Sequence, residues 1–440
     1  MTKKKTVIIN QLSEERRESV GFSRFLNNDK MNWEDIYKEK SKDINGLCEG
    51  KHVLVINDTT EYNYYYHKNF LNIKDKELGP IGNDSGIGFF CHPGLVVDSS
   101  NGVALGFSYL KLWNRDFDKQ SKGERKYKQQ PIAEKESYRW IECGQESKKK
   151  LSKAERITII ADRESDIYEE FAEVPDGRTE LIIRSRTDRV LEDGENLYDQ
   201  INSTKACGSY ELKVSATQKR KARNTVIDLK YRRVKIKKPQ NLNNNKDLPD
   251  YIELTAIEAK ENSERVPKGE KPIHWILLTT HEVNNDSEAL QIIIWYSMRW
   301  QIELLFATTK SKGMNMEASE LESGKALKSM CVLALYVCLL INQLRQLRND
   351  ESGINAGIWF TKKQIELLKL ICMRYEGRTE KQKNHHKEET IAWAAWTIAR
   401  LGGWKGYSCE SPPGNKTFKW GLDRFYAMYE GYIITEKMCA

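Results

Sequence analysis

Several features that define other classes of protein are missing from this chain. The 9 cysteines include no Cys-x-x-Cys pair and no histidine at zinc-ligand spacing, and an odd number does not suit a disulfide framework. The basic residues 3–5 are not followed by the apolar run of a secretory signal peptide. We therefore expect a reducing, cytoplasmic setting.

Long apolar runs are also missing. The longest run, residues 330–341, is shorter than the ~20 residues that a bilayer-spanning helix needs, so we expect a buried helix there and no membrane partner. No internal repeat is apparent. With 440 residues, of which 39% are hydrophobic, and with 11 Trp, 20 Tyr and 12 Phe, the chain has the material for several folded domains.

The positive charge is clustered. The formal net charge is +8, and lysine and arginine gather in residues 148–150, 219–223 and 230–238. Such runs are typical of surfaces that bind a polyanion, but they are equally typical of solvated loops. Charge alone leaves both interpretations open.

The hydrophobic pattern predicts an α/β core. After a polar, helix-prone segment of residues 1–45, an apolar strand at residues 53–56 stops at Asn57 and Asp58. A second buried strand ends before Asp162, which is followed by a helix. The strands are predicted at residues 53–56, 86–98, 103–113, 157–160 and 180–185.

The second half of the chain changes character twice. Alternating residues between about 205 and 280 predict an inserted antiparallel sheet. From residue 287 the apolar period becomes helical through residue 312, and again from 321 to 348. The remainder, to residue 440, is mostly helical.

Two aspartates stand where chemistry is expected. Asp58 and Asp162 each follow an apolar strand, where a side chain can enter a crevice at the sheet edge, and together they suggest a cation site. Each could equally be an Asx turn or a helix N-cap. Taken alone, the two aspartates favour that plainer explanation.

A third carboxylate lies on the segment predicted to be helical from residue 287. Tyr296, Arg299, Glu303 and Lys310 project onto one helical face, which presents a carboxylate beside a phenol and two cations. An ion-paired surface helix is the alternative. The aromatic residues around that face favour a binding partner instead; they are Trp295, Trp300 and Phe306.

Three motifs in order carry a family resemblance. They are Asp58-Thr59-Thr60, the run Ala-Asp-Arg-Glu-Ser-Asp-Ile at residues 161–167, and Tyr296-x-x-Arg299-Trp300-x-Ile302-Glu303 with Lys310 seven residues further on. Together they resemble the transposases of the IS4 family, close to the Tn5 type. The resemblance covers nearly the whole chain after about residue 20.

The resemblance implies a fold class, an α/β protein with an RNase H-like catalytic core. The core would be a mixed five-stranded sheet with helices, carrying a β-rich insertion and a helical C-terminal domain. The implied domains are a short helical segment (1–45, a truncated DNA-binding domain), the first part of the core (46–195), the insertion (196–285), the second part of the core with the glutamate helix (286–348) and a dimerisation domain (349–440).

The resemblance also implies a site. Asp58, Asp162 and Glu303 would be the catalytic triad and would hold two Mg²⁺ or Mn²⁺ ions, which prefer hard oxygen ligands. Cationic and phenolic side chains would contact transposon-end phosphates, and two indoles would handle a flipped base while a DNA hairpin forms. These DNA-binding residues are Tyr296, Arg299, Lys310, Arg184, Arg186, Trp275 and Trp300.

The implied function is cut-and-paste transposition of an insertion sequence. The partners would be double-stranded DNA, as inverted-repeat ends and target, and a second copy of the chain in a synaptic dimer, inside a bacterial cell and on its nucleoid when bound to DNA. Two alternatives remain open. One is a truncated DNA-binding or dimerising derivative that inhibits transposition, and the other is a non-mobile RNase H-like nuclease.

Overall fold

The structure is a computed structural model. It describes residues 7–13, 15–67, 71, 75–82, 86–117, 130–214, 220–310, 313–351, 353–407 and 410–439. The basic residues 3–5, and Lys219 of the basic run, lie outside the described residues.

The described β-strands all belong to one sheet. They are β1 (His52–Asn57), β2 (Thr60–Asn63), β3 (Gly79–Ile81), β4 (Gly86–Asp98), β5 (Ala104–Trp113), β6 (Arg156–Ala161), β7 (Thr179–Arg184), β8 (Gly208–Val214), β9 (Arg223–Lys237), β10 (Tyr251–Glu261) and β11 (His274–Thr279).

The described α-helices lie before, between and after these strands. They are α1 (Ile9–Leu12), α2 (Arg16–Leu26), α3 (Trp33–Lys40), α4 (Ile44–Leu47), α5 (Tyr138–Lys150), α6 (Tyr168–Glu173), α7 (Leu197–Ser203), α8 (Asp286–Ser297), α9 (Trp300–Thr309), α10 (Gly324–Gln346), α11 (Lys362–Tyr375), α12 (Ile391–Leu401) and α13 (Asn415–Cys439).

Five strands form the core in the order β5, β4, β1, β6, β7. Strand β4 is antiparallel to both β5 and β1, whereas β6 is parallel to β1 and β7 is parallel to β6. Helix α5 connects β5 to β6, and α6 connects β6 to β7. Three antiparallel strands followed by two parallel strands, each reached through a helix, are the RNase H-like arrangement, so the predicted fold class is confirmed.

Alternating side chains of β1 explain why both faces of this sheet are covered. Val53 and Val55 lie in the hydrophobic core that contains α5 and α6, and Leu54 and Ile56 lie in the core that contains α8, α9 and α10. All four are fully buried. Successive side chains of a strand point to opposite faces, so a continuous apolar run indicates a strand covered on both sides.

The predicted antiparallel insertion is present, and it continues the core sheet. Strands β8, β9, β10 and β11 pair in that order, and β11 pairs antiparallel with β7 through Leu277 and Arg184. The last core strand is therefore covered along its outer edge by the insertion.

The prediction of one continuous helix from residue 287 to residue 312 is wrong. Helix α8 ends at Ser297 and α9 begins at Trp300. Between them the backbone hydrogen bonds join residues three apart, from the Met298 amide to the Trp295 carbonyl and from the Arg299 amide to the Tyr296 carbonyl. Such bonds wind the backbone more tightly than an α-helix does, and they interrupt the α-helical hydrogen bonding at this point.

The predicted buried helix at residues 330–341 is confirmed within α10. By length and composition alone α10 could cross a membrane, but 78% of its most apolar stretch is buried inside the protein. It packs against α3, α9 and α13. It therefore serves as the central core helix that joins the sheet to the C-terminal helices.

Candidate active site

The two aspartates leave the sheet side by side. Strands β1 and β6 pair in parallel with Ile56 opposite Ile160, so Asp58 and Asp162, two residues further along, emerge at the same edge. Asp162 precedes a short 3-10 helix but makes no side-chain cap hydrogen bond. The N-cap explanation therefore does not hold for Asp162.

Arg299 brings the third carboxylate to the first. It lies in the turn between α8 and α9, and its Nη1 donates to Asp58 Oδ2 at 3.1 Å while its Nη2 donates to Glu303 Oε1. The arginine side chain is only 13% exposed. Its guanidinium thus pairs with both carboxylates through charge-assisted hydrogen bonds.

Burial and crowding of acids dominate the electrostatics. Burial raises the pKa of Asp58 to about 6; the Thr59 amide and Arg299 oppose the rise, and the neighbouring Asp162 and Glu303 add to it. Burial alone would lower the pKa of Arg299, but Tyr296 and the three carboxylates outweigh it and raise that pKa. The three predicted triad residues are therefore close enough to affect one another.

The chemistry of the site fits a divalent cation. Asp162 Oδ1 is buried and has no hydrogen-bond partner, which is costly for a carboxylate unless a cation satisfies it. Three carboxylates supply the hard oxygen donors that Mg²⁺ and Mn²⁺ prefer. In the described ranges, no group of three or more His, Cys, Asp or Glu side chains is already arranged around a common metal position.

Aromatic and basic residues border the carboxylates. The rings of Trp275 and Tyr296 meet at 70° with centroids 5.3 Å apart. Burial raises the pKa of Tyr296 to about 12; Arg299 and Arg184 oppose the rise and Asp162 adds to it, so these charged groups act on the phenol. Arg184 donates to the His274 carbonyl at 3.1 Å, yet its buried Nε has no partner.

Three further residues were predicted to contact DNA. Lys310 is the C-cap residue of α9, the helix that carries Glu303, and its Nζ lies 3.8 Å from Glu317 Oε1. The break between α8 and α9 separates both of these residues from Tyr296. Trp300 is 60% exposed, and Arg186 is exposed with its amide donating to Asp166 Oδ2.

Sequence reasoning missed the residues that fix the loops. Asp166 accepts from Arg189 at 2.9 Å as well as from the Arg186 amide, and so ties the loop after β6 to the loop after β7. Arg139 makes a similar tie to Thr59. Asp166 and Thr59 stood inside recognised motifs, but their arginine partners did not, and those partners are distant along the chain.

The strand order and the acidic edge define an RNase H-like α/β protein. Residues 142–341 match the family model described as the transposase DDE domain, and this match supports a DDE transposase as the class of the protein. DDE transposases generally use divalent metal ions for DNA phosphoryl transfer. The matched segment contains Asp162 and Glu303, and Asp58 precedes it.

A solved structure shows a more distant likeness. The chain aligns with the cryo-EM structure of a piggyBac transposase synaptic complex with hairpin DNA, at a TM-score of 0.38 and 10% sequence identity. The alignment covers 92% of this chain and 60% of that chain.

Proposed function

We propose that this protein is a cut-and-paste DNA transposase of the IS4 type, close to Tn5 transposase. It would nick the ends of an insertion sequence, form a hairpin at each end, reopen the hairpin and join the freed 3′-hydroxyls to target DNA. Its partners would be double-stranded DNA and a second copy of the chain, in the cytoplasm of a bacterium.

One observation carries this proposal. Asp58 and Asp162 follow adjacent parallel strands and emerge at the same edge of the sheet. Arg299, which lies 241 positions after Asp58, pairs with Asp58 and with Glu303 of α9. Three separate motifs of the resembling family thus converge at one place, beside the buried, unpaired Asp162 oxygen.

Asp58, Asp162 and Glu303 would hold two Mg²⁺ or Mn²⁺ ions. Such ions, when bound, supply Lewis-acid stabilisation of the attacking and leaving oxygens of a phosphoryl transfer. Arg184, with an unpaired buried Nε, and Arg299 are suited to phosphate oxygens, because a guanidinium offers several donors in one plane. Trp275, whose ring contacts that of Tyr296, would stack on a displaced base.

The test is a cleavage and strand-transfer assay with DNA from the ends of the element, in Mg²⁺. Asp58→Ala, Asp162→Ala and Glu303→Ala should each reduce cleavage by at least about a thousandfold and leave end binding largely intact, because each change removes a carboxylate from a shared site. Asp247→Ala, in an exposed loop of the insertion, serves as the control and should cleave normally.

The products separate the candidate functions. Joining of the cut ends to target DNA supports a transposase, whereas hydrolysis without joining indicates a nuclease. Specific end binding without any cleavage by the wild-type protein indicates an inhibitor. A triad variant that cleaves at nearly the wild-type rate would remove that residue from the site.

A further inference from the structure

Arg139 contacts both loops that carry the predicted aspartates. It lies near the start of α5, and its Nε donates to Thr59 Oγ1 at 2.8 Å while its Nη2 donates to Glu164 Oε2 at 2.7 Å. Thr59 directly follows Asp58, and Glu164 comes two residues after Asp162. A single guanidinium therefore spans the gap between the two chain segments that leave β1 and β6.

The Arg139 side chain is itself held in place. Its Nη1 donates to the Glu136 carbonyl at 2.8 Å, and its guanidinium lies 5.7 Å from the ring centre of Trp113 and 5.2 Å from that of Trp140. The side chain is only 11% exposed. A planar group with several donors in fixed directions can hold three acceptors at once, which a lysine ammonium on a flexible stem does less well.

The direction of the hydrogen bonds follows from the donors. Arginine can only donate, so Thr59 Oγ1 accepts from Arg139, and the Thr59 hydroxyl proton is free to point to His92 Nδ1, 2.9 Å away. Burial, together with Arg139 and Lys111, holds the pKa of His92 well below its usual value, so its ring is neutral. In either tautomer of this neutral ring, the contact between Nδ1 and Thr59 Oγ1 holds the hydroxyl from a second side.

The chain of contacts ends on a carboxylate. The amide of Thr59 donates to Asp58 Oδ1 at 2.7 Å. Because Arg139 and His92 fix the Thr59 side chain from two directions, they also fix the backbone that carries this amide. Groups that orient a metal-binding carboxylate commonly change metal affinity by about 10- to 100-fold when they are removed.

We propose that Arg139 is a positioning residue which, by holding Thr59 and Glu164, sets the separation and orientation of Asp58 and Asp162. This inference rests on the proposed function of those two aspartates in binding divalent metal. Arg139 acts through Thr59 on one side and through the loop after β6 on the other.

The test measures Mn²⁺ affinity of the full-length protein by calorimetry without DNA, alongside the metal dependence of cleavage. Arg139→Met and Thr59→Val should each weaken Mn²⁺ binding about tenfold. Thr59→Ser, which keeps the hydroxyl, should bind like the wild type, and Arg139→Lys should recover only part of the affinity. In cleavage, the Mn²⁺ concentration for half-maximal rate should rise more than the maximal rate falls.

Arg178→Met is the matched control for damage to the fold. Arg178 donates to the carbonyls of Lys148, Leu151 and Ala154 at the opposite end of α5, far along the helix from Arg139. This variant should lower the free energy of unfolding and leave Mn²⁺ affinity unchanged. The combination of Arg139→Met with Thr59→Val should weaken Mn²⁺ binding no more than either change alone, because both interrupt one chain of contacts.

Two outcomes would overturn the inference. The first is that Arg139→Met binds Mn²⁺ like the wild type. The second is that the double variant loses Mn²⁺ affinity by the product of the two single losses, which would show that Arg139 does not act through Thr59. A wild-type protein that neither binds Mn²⁺ nor cleaves end DNA would instead remove the proposed function on which the inference rests. The first pair of results leaves the proposed function standing, so the two failures are distinguishable.

Discussion

The indole of Trp275 meets the phenol ring of Tyr296 at 70°, with 5.3 Å between the ring centres. Trp275 belongs to β11 of the insertion, and Tyr296 belongs to α8, just before the turn that carries Arg299. The insertion therefore contributes one aromatic side chain, that of Trp275, next to the acidic edge of the core. Trp275 is only partly buried.

This placement predicts that Trp275→Ala slows hairpin formation far more than first-strand nicking. Stacking of a displaced base on an indole contributes roughly 1–3 kcal/mol, which corresponds to a loss of roughly 5- to 150-fold in the hairpin step alone. Single-turnover gels that resolve nicked and hairpin products measure both rates. Trp275→Phe should lose less, and an equal loss in both steps would make Trp275 a packing residue.

Arg299→Gln should tighten Mn²⁺ binding by the protein without DNA about fivefold. The change removes a cation that pairs with both Asp58 and Glu303, and a partly exposed ion pair contributes about 1 kcal/mol. Arg299→Lys keeps the charge and should stay close to the wild type. Calorimetry gives the Mn²⁺ affinity of each variant. Weaker Mn²⁺ binding by the Gln variant would contradict the idea that Arg299 and the metal compete for the same carboxylates.

Glu170 should make stability depend on pH. Burial raises its pKa to about 8, although the Ser165 hydroxyl donates to it at 2.6 Å. The contribution of Glu170 to the free energy of unfolding is complete below the unfolded pKa near 4.5. It declines as pH rises towards 8, because the unfolded chain loses the Glu170 proton at a lower pH than the folded chain does. Between these two pKa values, the free energy of unfolding should fall by up to about 1.4 kcal/mol per pH unit.

Glu170→Gln should flatten this slope, because an amide stays neutral throughout the range. Urea unfolding of both proteins at several values between pH 5 and pH 8 measures the difference. Parallel curves for the two proteins would show that Glu170 is ionised in the folded state.

The predicted dimer contact is best tested on the exposed side of α13. Residues 349–440 were expected to pair two subunits, but Trp393 and Phe425 of this segment are buried against this chain's own core, so removing it would expose that core. Trp420 is 47% exposed beside Lys416. Trp420→Ala should reduce paired-end complexes several-fold and leave single-end binding intact.

Native gels with one and two labelled DNA ends distinguish these complexes. Tyr251→Ala, at an exposed aromatic residue of β10, is the control and should pair ends normally. Unchanged pairing by the Trp420 variant would place the contact on another surface.

The sequence predicted the sheet well because its signals are local. The predicted strand at residues 86–98 has the bounds of β4, with glycine at its start and an aspartate at its end. The edge position of Asp58 and Asp162 followed from two apolar runs that stop abruptly. In both cases a few neighbouring residues determine the element.

The break between α8 and α9 could not be predicted in the same way. Neither glycine nor proline marks it, and the apolar period continues across it. Its causes are distant contacts, since Arg299 bonds to Asp58 and Gln301 donates to the carbonyl of Gly102 in the turn between β4 and β5. The role of Arg139 was hidden for the same reason, because Thr59 lies 80 positions away.

The pairing of β11 with β7 has a consequence for how this protein could be rebuilt. Deleting the insertion would strip the hydrogen-bonding partner from the outer core strand and leave an open edge, which invites aggregation. The insertion therefore cannot be deleted or replaced without exposing the edge of the core sheet. Extra sequence such as a peptide tag would be better tolerated in the exposed connection around Gln240–Leu242, between β9 and β10.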